Sequence, residues 1–241
     1  MSVPHPQQGS LPLFRFKGIQ VSVHWSWLIV AVWQIERHRG SYETITFAVA
    51  EYLALFGIVL LHEFGHAFAT RQVGGLADHI LLWPFGGIAF VNAPHRPGAH
   101  LWSIAAGPLV NVALIPVLWL AARYGLPADA GDDARSFAEM IQLINIVLLV
   151  FNVLPIYPMD GGQMLQALLW FRLGYAKALL FASGIGLAGG VGLMALAFYF
   201  SRSLLSILMV GFLLLNCWKA FQAARMMLAA QPPLARRSME E

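Results

Sequence analysis

The sequence predicts an all-α polytopic membrane protein. It has about six transmembrane helices, a short membrane-associated β-hairpin or re-entrant loop between helices 2 and 3, and a broken helix 4. Three observations carry this. Charged residues make up 11% of the chain and hydrophobic ones 59%, against about 25% charged in a soluble domain, so there is too little polar surface to cover a water-facing globule. The apolar residues gather into stretches near the ~20 residues that cross a bilayer as a helix. Between two of these stretches lies a Gly- and Pro-rich segment that cannot be helical.

In chain order, the N-terminal MSVPHPQQGSLPLFRFKG carries Pro and Gln where a cleavable signal peptide has its apolar region, so insertion falls to the first internal span. The candidate spans are 21–36, 45–72, 101–123, 137–153, 176–200 and 203–229. The first is short and is followed by Arg37 and Arg39. After the second comes GGLADHILLWPFGGIAFVNAPHRPG, whose pieces HILLW and IAFV flank a turn at 84–87 and predict the hairpin. It lies either at headgroup level or around a wet cavity, since backbone at membrane depth must be satisfied by protein or water. Pro155 and Pro158 end the fourth span, because each removes a backbone donor and clashes with the preceding turn. Gly161 and Gly162 then permit a sharp turn into the helix QMLQALLWF. Gly186 and Gly190, in G-x-x-x-G spacing, allow close helix packing, and QPPLARRSMEE reads as a solvated tail.

The formal net charge of +3 comes from basic residues scattered between apolar spans, which is no nucleic-acid signature. The single cysteine, Cys217, excludes a cysteine framework for metal or redox work. Six crossings put both termini on one side, together with Arg15, Lys17, Arg71, Arg96, Arg172, Lys177, Lys219, Arg225, Arg236 and Arg237. Fewer basic residues, with Asp129, Asp132 and Asp133, fall on the other side. The positive-inside rule therefore predicts a multi-pass protein of the cell membrane with both termini cytoplasmic.

The strongest chemical signal is HEFGH at 62–66. Helical residues four apart share a face, so His62 and His66 can address one ion, and Glu63 lies about 100° round from His62. A pair of neutral imidazoles suits zinc, and the carboxylate can take a proton from a water attacking a carbonyl. The motif follows AVAEYLALFGIVLL directly, and ionisable groups within a span are costly and mark function. A helix leaving the membrane near Arg71 puts His66 about 7 Å and His62 about 13 Å below that face. His24 beside Trp25 and Trp27 reads as an interfacial group, and Asn111 and Asn145 as amides that hydrogen-bond between helices.

Catalytic zinc commonly has a third protein ligand and an open position. Asp160, on the broken backbone of NVLPIYPMDGG, is the best candidate for it. Glu51 is a rival, but it lies eleven residues before His62, three turns away. Asp78 and His79, in the loop, are further rivals.

With these residues in view, the chain resembles the site-2 protease family of intramembrane zinc metalloproteases, peptidase family M50. The resemblance rests on HEFGH at 62–66 and on Asn152, Pro155, Pro158, Asp160 and Gly161 in the pattern N-x-x-P-x-x-P-x-D-G. PFGGIA at 84–89 and AGPLVN at 106–111 add to it. It covers spans two to four, and the compact form is most similar to the branch containing the sporulation protease that cleaves a pro-sigma factor. The resemblance implies one zinc per chain held by His62, His66 and Asp160, with Glu63 as general base. It also implies that Asn152 helps hold unwound substrate, and that Phe85 is an apolar plug in a loop screening the site. A single integral membrane domain over 1–241 is expected, with a catalytic core at about 45–172 and no soluble CBS or PDZ domain.

The expected activity is hydrolysis of peptide bonds in or near transmembrane segments of a membrane-protein substrate, within the lipid bilayer. A regulatory membrane partner of unknown identity is compatible with this. Two alternatives compete. A membrane zinc protease with a solvent-facing site would typically use Glu as third ligand, and the interrupted helix at Asp160 argues against it. A non-proteolytic zinc-binding transporter or scaffold would need the ligands but not Glu63.

Overall fold

Two segments near the N-terminus, the second running into the start of the expected first span, supply half of a four-stranded sheet. The computed structural model describes residues 9–83, 86–127, 130–201 and 204–230. Strands β1 (Ser10–Phe16) and β2 (Ile19–His24) precede helices α1 (Ser26–His38) and α2 (Ile45–Gln72), and strands β3 (Leu76–Trp83) and β4 (Gly86–Asn92) follow. The rest is helical: α3 (Pro97–Tyr124), α4 (Asp132–Val153), α5 (Asp160–Leu173), α6 (Tyr175–Leu196) and α7 (Leu204–Ala229). Among the described residues, five helical stretches are long and apolar enough to cross a membrane: Ile45–Gln72, Pro97–Tyr124, Asp132–Val153, Tyr175–Phe200 and Ser206–Ala229. Large side chains such as Leu53, Leu61, Leu109, Val117, Leu120 and Val147 stand exposed along them, as lipid-facing surfaces require.

The expected first span, 21–36, is divided. Its opening residues belong to β2, and the 13-residue α1 is about 20 Å long, short of a ~30 Å hydrocarbon core. The signal for a strand was present in IQVSVH, where Ile19, Val21 and Val23 alternate with polar residues, and Ile19 and Val21 are fully buried. A two-residue turn links β1 to β2. Both of its residues, Lys17 and Gly18, have positive φ, the backbone that matches strand twist in tight hairpins. β1 is an edge strand, which is why Pro12 is tolerated in it.

The hairpin expected between the second and third long helices is present as β3 and β4, paired antiparallel with Leu81 opposite Ile88. It joins β2 in parallel, Val21 opposite Ile80, giving the sheet order β1-β2-β3-β4.

The chain groups into two compact units, residues 1–94 with 105–151 and residues 95–104 with 152–241. In the first, Ile19, Ile80 and Leu82 of the sheet pack with Trp27 of α1 and with Val59 and Ala67 of α2. The second unit is built on α5, α6 and α7, with Leu179, Ala220 and Ala224 buried together. There the expected close approach at Gly186 and Gly190 is observed. A Cβ on Gly190 would come 2.6 Å from Leu214, and one on Gly186 would come 3.0 Å from the Cys217 sulfur.

Candidate metal centre

α2 is apolar around its whole circumference, so its polar residues are conspicuous. His62, Glu63 and His66 are 3%, 6% and 6% exposed. Each offers a ligand atom within 4.8 Å of the other two. The two imidazoles turn Nε2 toward Nε2 at 3.0 Å, with their planes 84° apart. Two nitrogens bound to one zinc at 2.0–2.1 Å stand about 2.9–3.4 Å apart for angles from square to tetrahedral. The observed pair therefore suits that ion without rearrangement, and the adjacent buried carboxylate suits a base.

Room for an ion comes from α3. A Cβ on Gly107 would lie 2.3 Å from Nε2 of His66 and 2.8 Å from Nε2 of His62, so the glycine leaves open the space in front of both nitrogens. Gly65 performs the reciprocal service on α2, where a Cβ would fall 2.6 Å from the carbonyl oxygen of Ala106. Asn111, one turn beyond Gly107, brings Oδ1 within 2.5 Å of His62 Nδ1. The interhelix hydrogen bonding expected of Asn111 and Asn145 is thus observed, and one of its partners is His62. The sequence signal for the His62 contact was the four-residue spacing of Gly107 and Asn111, which puts both on one face of α3.

Asp160 and Asn152 belong to the second unit. α4 ends at Val153 and α5 begins at Asp160 itself, so the interruption falls where the prolines predict. The turn closes tightly because Gly161 and Gly162 lack side chains. A Cβ on Gly161 would meet the carbonyl oxygen of Val153 at 2.1 Å, and one on Gly162 the Tyr157 nitrogen at 2.4 Å. Gln163 Nε2 donates to the carbonyl of Pro158 at 2.7 Å. Asp160 thus opens a helix, where free backbone N–H groups and the helix dipole favour an anion. Phe85 lies outside the described residues.

The rival ligands have other partners. Glu51 is buried and accepts from Tyr42 Oη at 2.9 Å, from His38 Nδ1 at 2.6 Å and from Gln34 Nε2 at 3.5 Å. Burial, and then the Glu51 carboxylate, push the Tyr42 phenol well above its usual range. Asp78 is exposed and stands 3.5 Å from the Arg71 guanidinium. His79 packs on Phe90, and burial lowers its pKa.

Comparison with known proteins agrees with this geometry. The family model for peptidase family M50 matches residues 126–195. A zinc metalloprotease of Methanocaldococcus jannaschii is 32% identical over 177 residues, 73% of this chain and 50% of the relative. Stage IV sporulation protein FB of Bacillus subtilis is 30% identical over 163 residues, 66% of this chain and 51% of the relative. The chain thus spans about half the length of the curated relatives it matches. The solved structure of a site-2 protease from Methanocaldococcus jannaschii superposes with a TM-score of 0.62 at 26% identity, covering 88% of this chain and 95% of that one. The ion in the name of the first of these relatives is zinc, the same ion that the paired imidazoles suit. By a family model over residues 126–195, by relatives and by fold, this chain is similar to the proteins of peptidase family M50.

Proposed function

We propose that this chain is an intramembrane zinc metalloprotease that hydrolyses peptide bonds in or near transmembrane segments of membrane-protein substrates. The observation that carries the reading is the burial of His62, Glu63 and His66 together on a helix long enough to span the bilayer. His62 and His66 would hold the ion through Nε2, with Asp160 as the proposed third ligand. When bound, zinc supplies a Lewis acid that polarises the scissile carbonyl and acidifies water. Glu63 takes the proton of the attacking water and passes it to the leaving amine, as general base and then general acid.

A helical substrate hides its carbonyls in its own hydrogen bonds and must unwind before attack. Asn152 is proposed to hold the unwound stretch, and Phe85 to screen the site. The open edge of β4 offers an extended segment a strand to pair with. The catalytic core is about 45–172, within a single membrane domain.

In the cell membrane, both termini are assigned to the cytoplasm on the balance of basic residues. Placing both termini on one side needs a sixth crossing, which is assigned to α1 with the 3-10 turn Arg39–Ser41, together about 26 Å and so shorter than the five long helices. A regulatory membrane partner is compatible with this arrangement.

The test is cleavage of a panel of single-span substrates by the purified chain in detergent, wild type against Glu63→Gln, with zinc measured on both. Cleavage within the span by wild type alone, with zinc retained in the variant, is the expected result. Zinc bound by both with no substrate cut by wild type would favour a scaffold. Absence of zinc from both would end the assignment.

A further inference from the structure

We infer that Asn111 and Asn145 are positioning residues that lock His62 in the tautomer able to bind a metal. The inference rests on His62 being a ligand, as proposed above. A backbone carbonyl can only accept. Asn145 Nδ2 lies 2.9 Å from the carbonyl oxygen of Asn111, so that end of the Asn145 side chain must be its amide nitrogen. Its other end, Oδ1, then faces Asn111 at 2.9 Å, where Asn111 must present Nδ2 as the donor. This turns Asn111 Oδ1 toward His62 Nδ1 at 2.5 Å. An amide oxygen cannot donate, so the proton sits on His62 Nδ1 and the lone pair on Nε2.

Nε2 is the atom that faces His66 and the space left by Gly107. The chain of bonds therefore runs from α4 through α3 to α2. Both asparagines are 0% exposed, so water does not compete for these bonds. Ligating histidines commonly have the other ring nitrogen tied in this way, and losing the tie weakens metal binding by about 10–100-fold.

The test uses the full chain in detergent and three readouts: zinc affinity by chelator competition, the tautomer of His62 from ring ¹⁵N shifts of the metal-free protein, and thermal stability without metal. Wild type should hold His62 with its proton on Nδ1. Asn111→Leu should lose that preference and bind zinc about 10–100-fold more weakly. Asn145→Leu should fall between the two, because Asn111 stays but is free to flip. Asn111→Asp keeps an acceptor on Nδ1 while facing the Asn145 oxygen, so it should lower metal-free stability yet bind zinc within about threefold of wild type.

A packing role alone predicts that affinity follows stability, with Asn111→Asp impaired and Asn111→Leu spared. That pattern, or an Nε2-protonated His62 in wild type, overturns the inference. Zinc binding by His62→Leu equal to wild type would instead sink the ligand assignment. The ¹⁵N readout would still report the relay independently.

Discussion

Replacing Gly107 with alanine separates the metal site from the fold around it. The added Cβ would stand 2.3 Å from His66 Nε2, against the 3.4 Å at which ordinary contact begins, a shortfall of about 1.1 Å. The atoms in its way are the ends of side chains. Without metal, the imidazoles can turn aside at about 0.5–1.5 kcal/mol, offset by the ~1 kcal/mol that alanine gains over glycine in a helix. Metal-free stability should therefore change by less than about 1 kcal/mol. With metal, ring positions are held to about ±0.2 Å, so a displacement of this size is incompatible with two nitrogens on one ion. Zinc affinity should fall at least about 100-fold, or about 2.7 kcal/mol. Gly57→Ala is the matched control, since nothing lies within 4 Å of its added Cβ, and it should leave zinc binding unchanged. Chelator competition and thermal unfolding, with and without zinc, read both quantities. If Gly107→Ala binds zinc as wild type does, the space in front of the two Nε2 atoms is not where the ion sits.

Gly161→Ala meets backbone instead, with Val153 O at 2.1 Å and Leu154 O at 2.5 Å. These atoms cannot swing away, so the turn must open, at about 3 kcal/mol or more. A thermal midpoint equal to wild type would refute that geometry. His38→Leu removes the closest donor to the buried Glu51 carboxylate and should destabilise the first unit by about 1–3 kcal/mol. Unchanged stability in detergent would mean that water replaces the imidazole there.

Much of this protein was legible in one dimension because its signals are periodic or local. The four-residue spacing of His62 and His66 needs only helix geometry to bring them together. Pro155 and Pro158 end α4 by local sterics, and Gly161 and Gly162 are explained by the close turn that follows. Strands β1 and β2 were hidden because the period-2 pattern at 19–24 runs directly into an apolar helix. Composition averages the two into one span, and strand pairing distinguishes them: β2 is recognisable once β3, about sixty residues later in the chain, lies beside it. Glu51 looked like a spare ligand until His38 and Tyr42 folded against it.

The sequence by itself determined the solvent this protein lives in, the helix that carries its imidazoles, and the place where α4 breaks. These follow from hydropathy, the helical repeat and the constraints of proline, all of which act along the chain. Only the tertiary structure decided what surrounds His62. Asn111 is 49 residues away from it and Asn145 a further 34, and no local rule aligns three helices to within a hydrogen bond. That alignment depends on how closely α2 and α3 approach at Gly65 and Gly107, and packing distances of this kind exist only between elements.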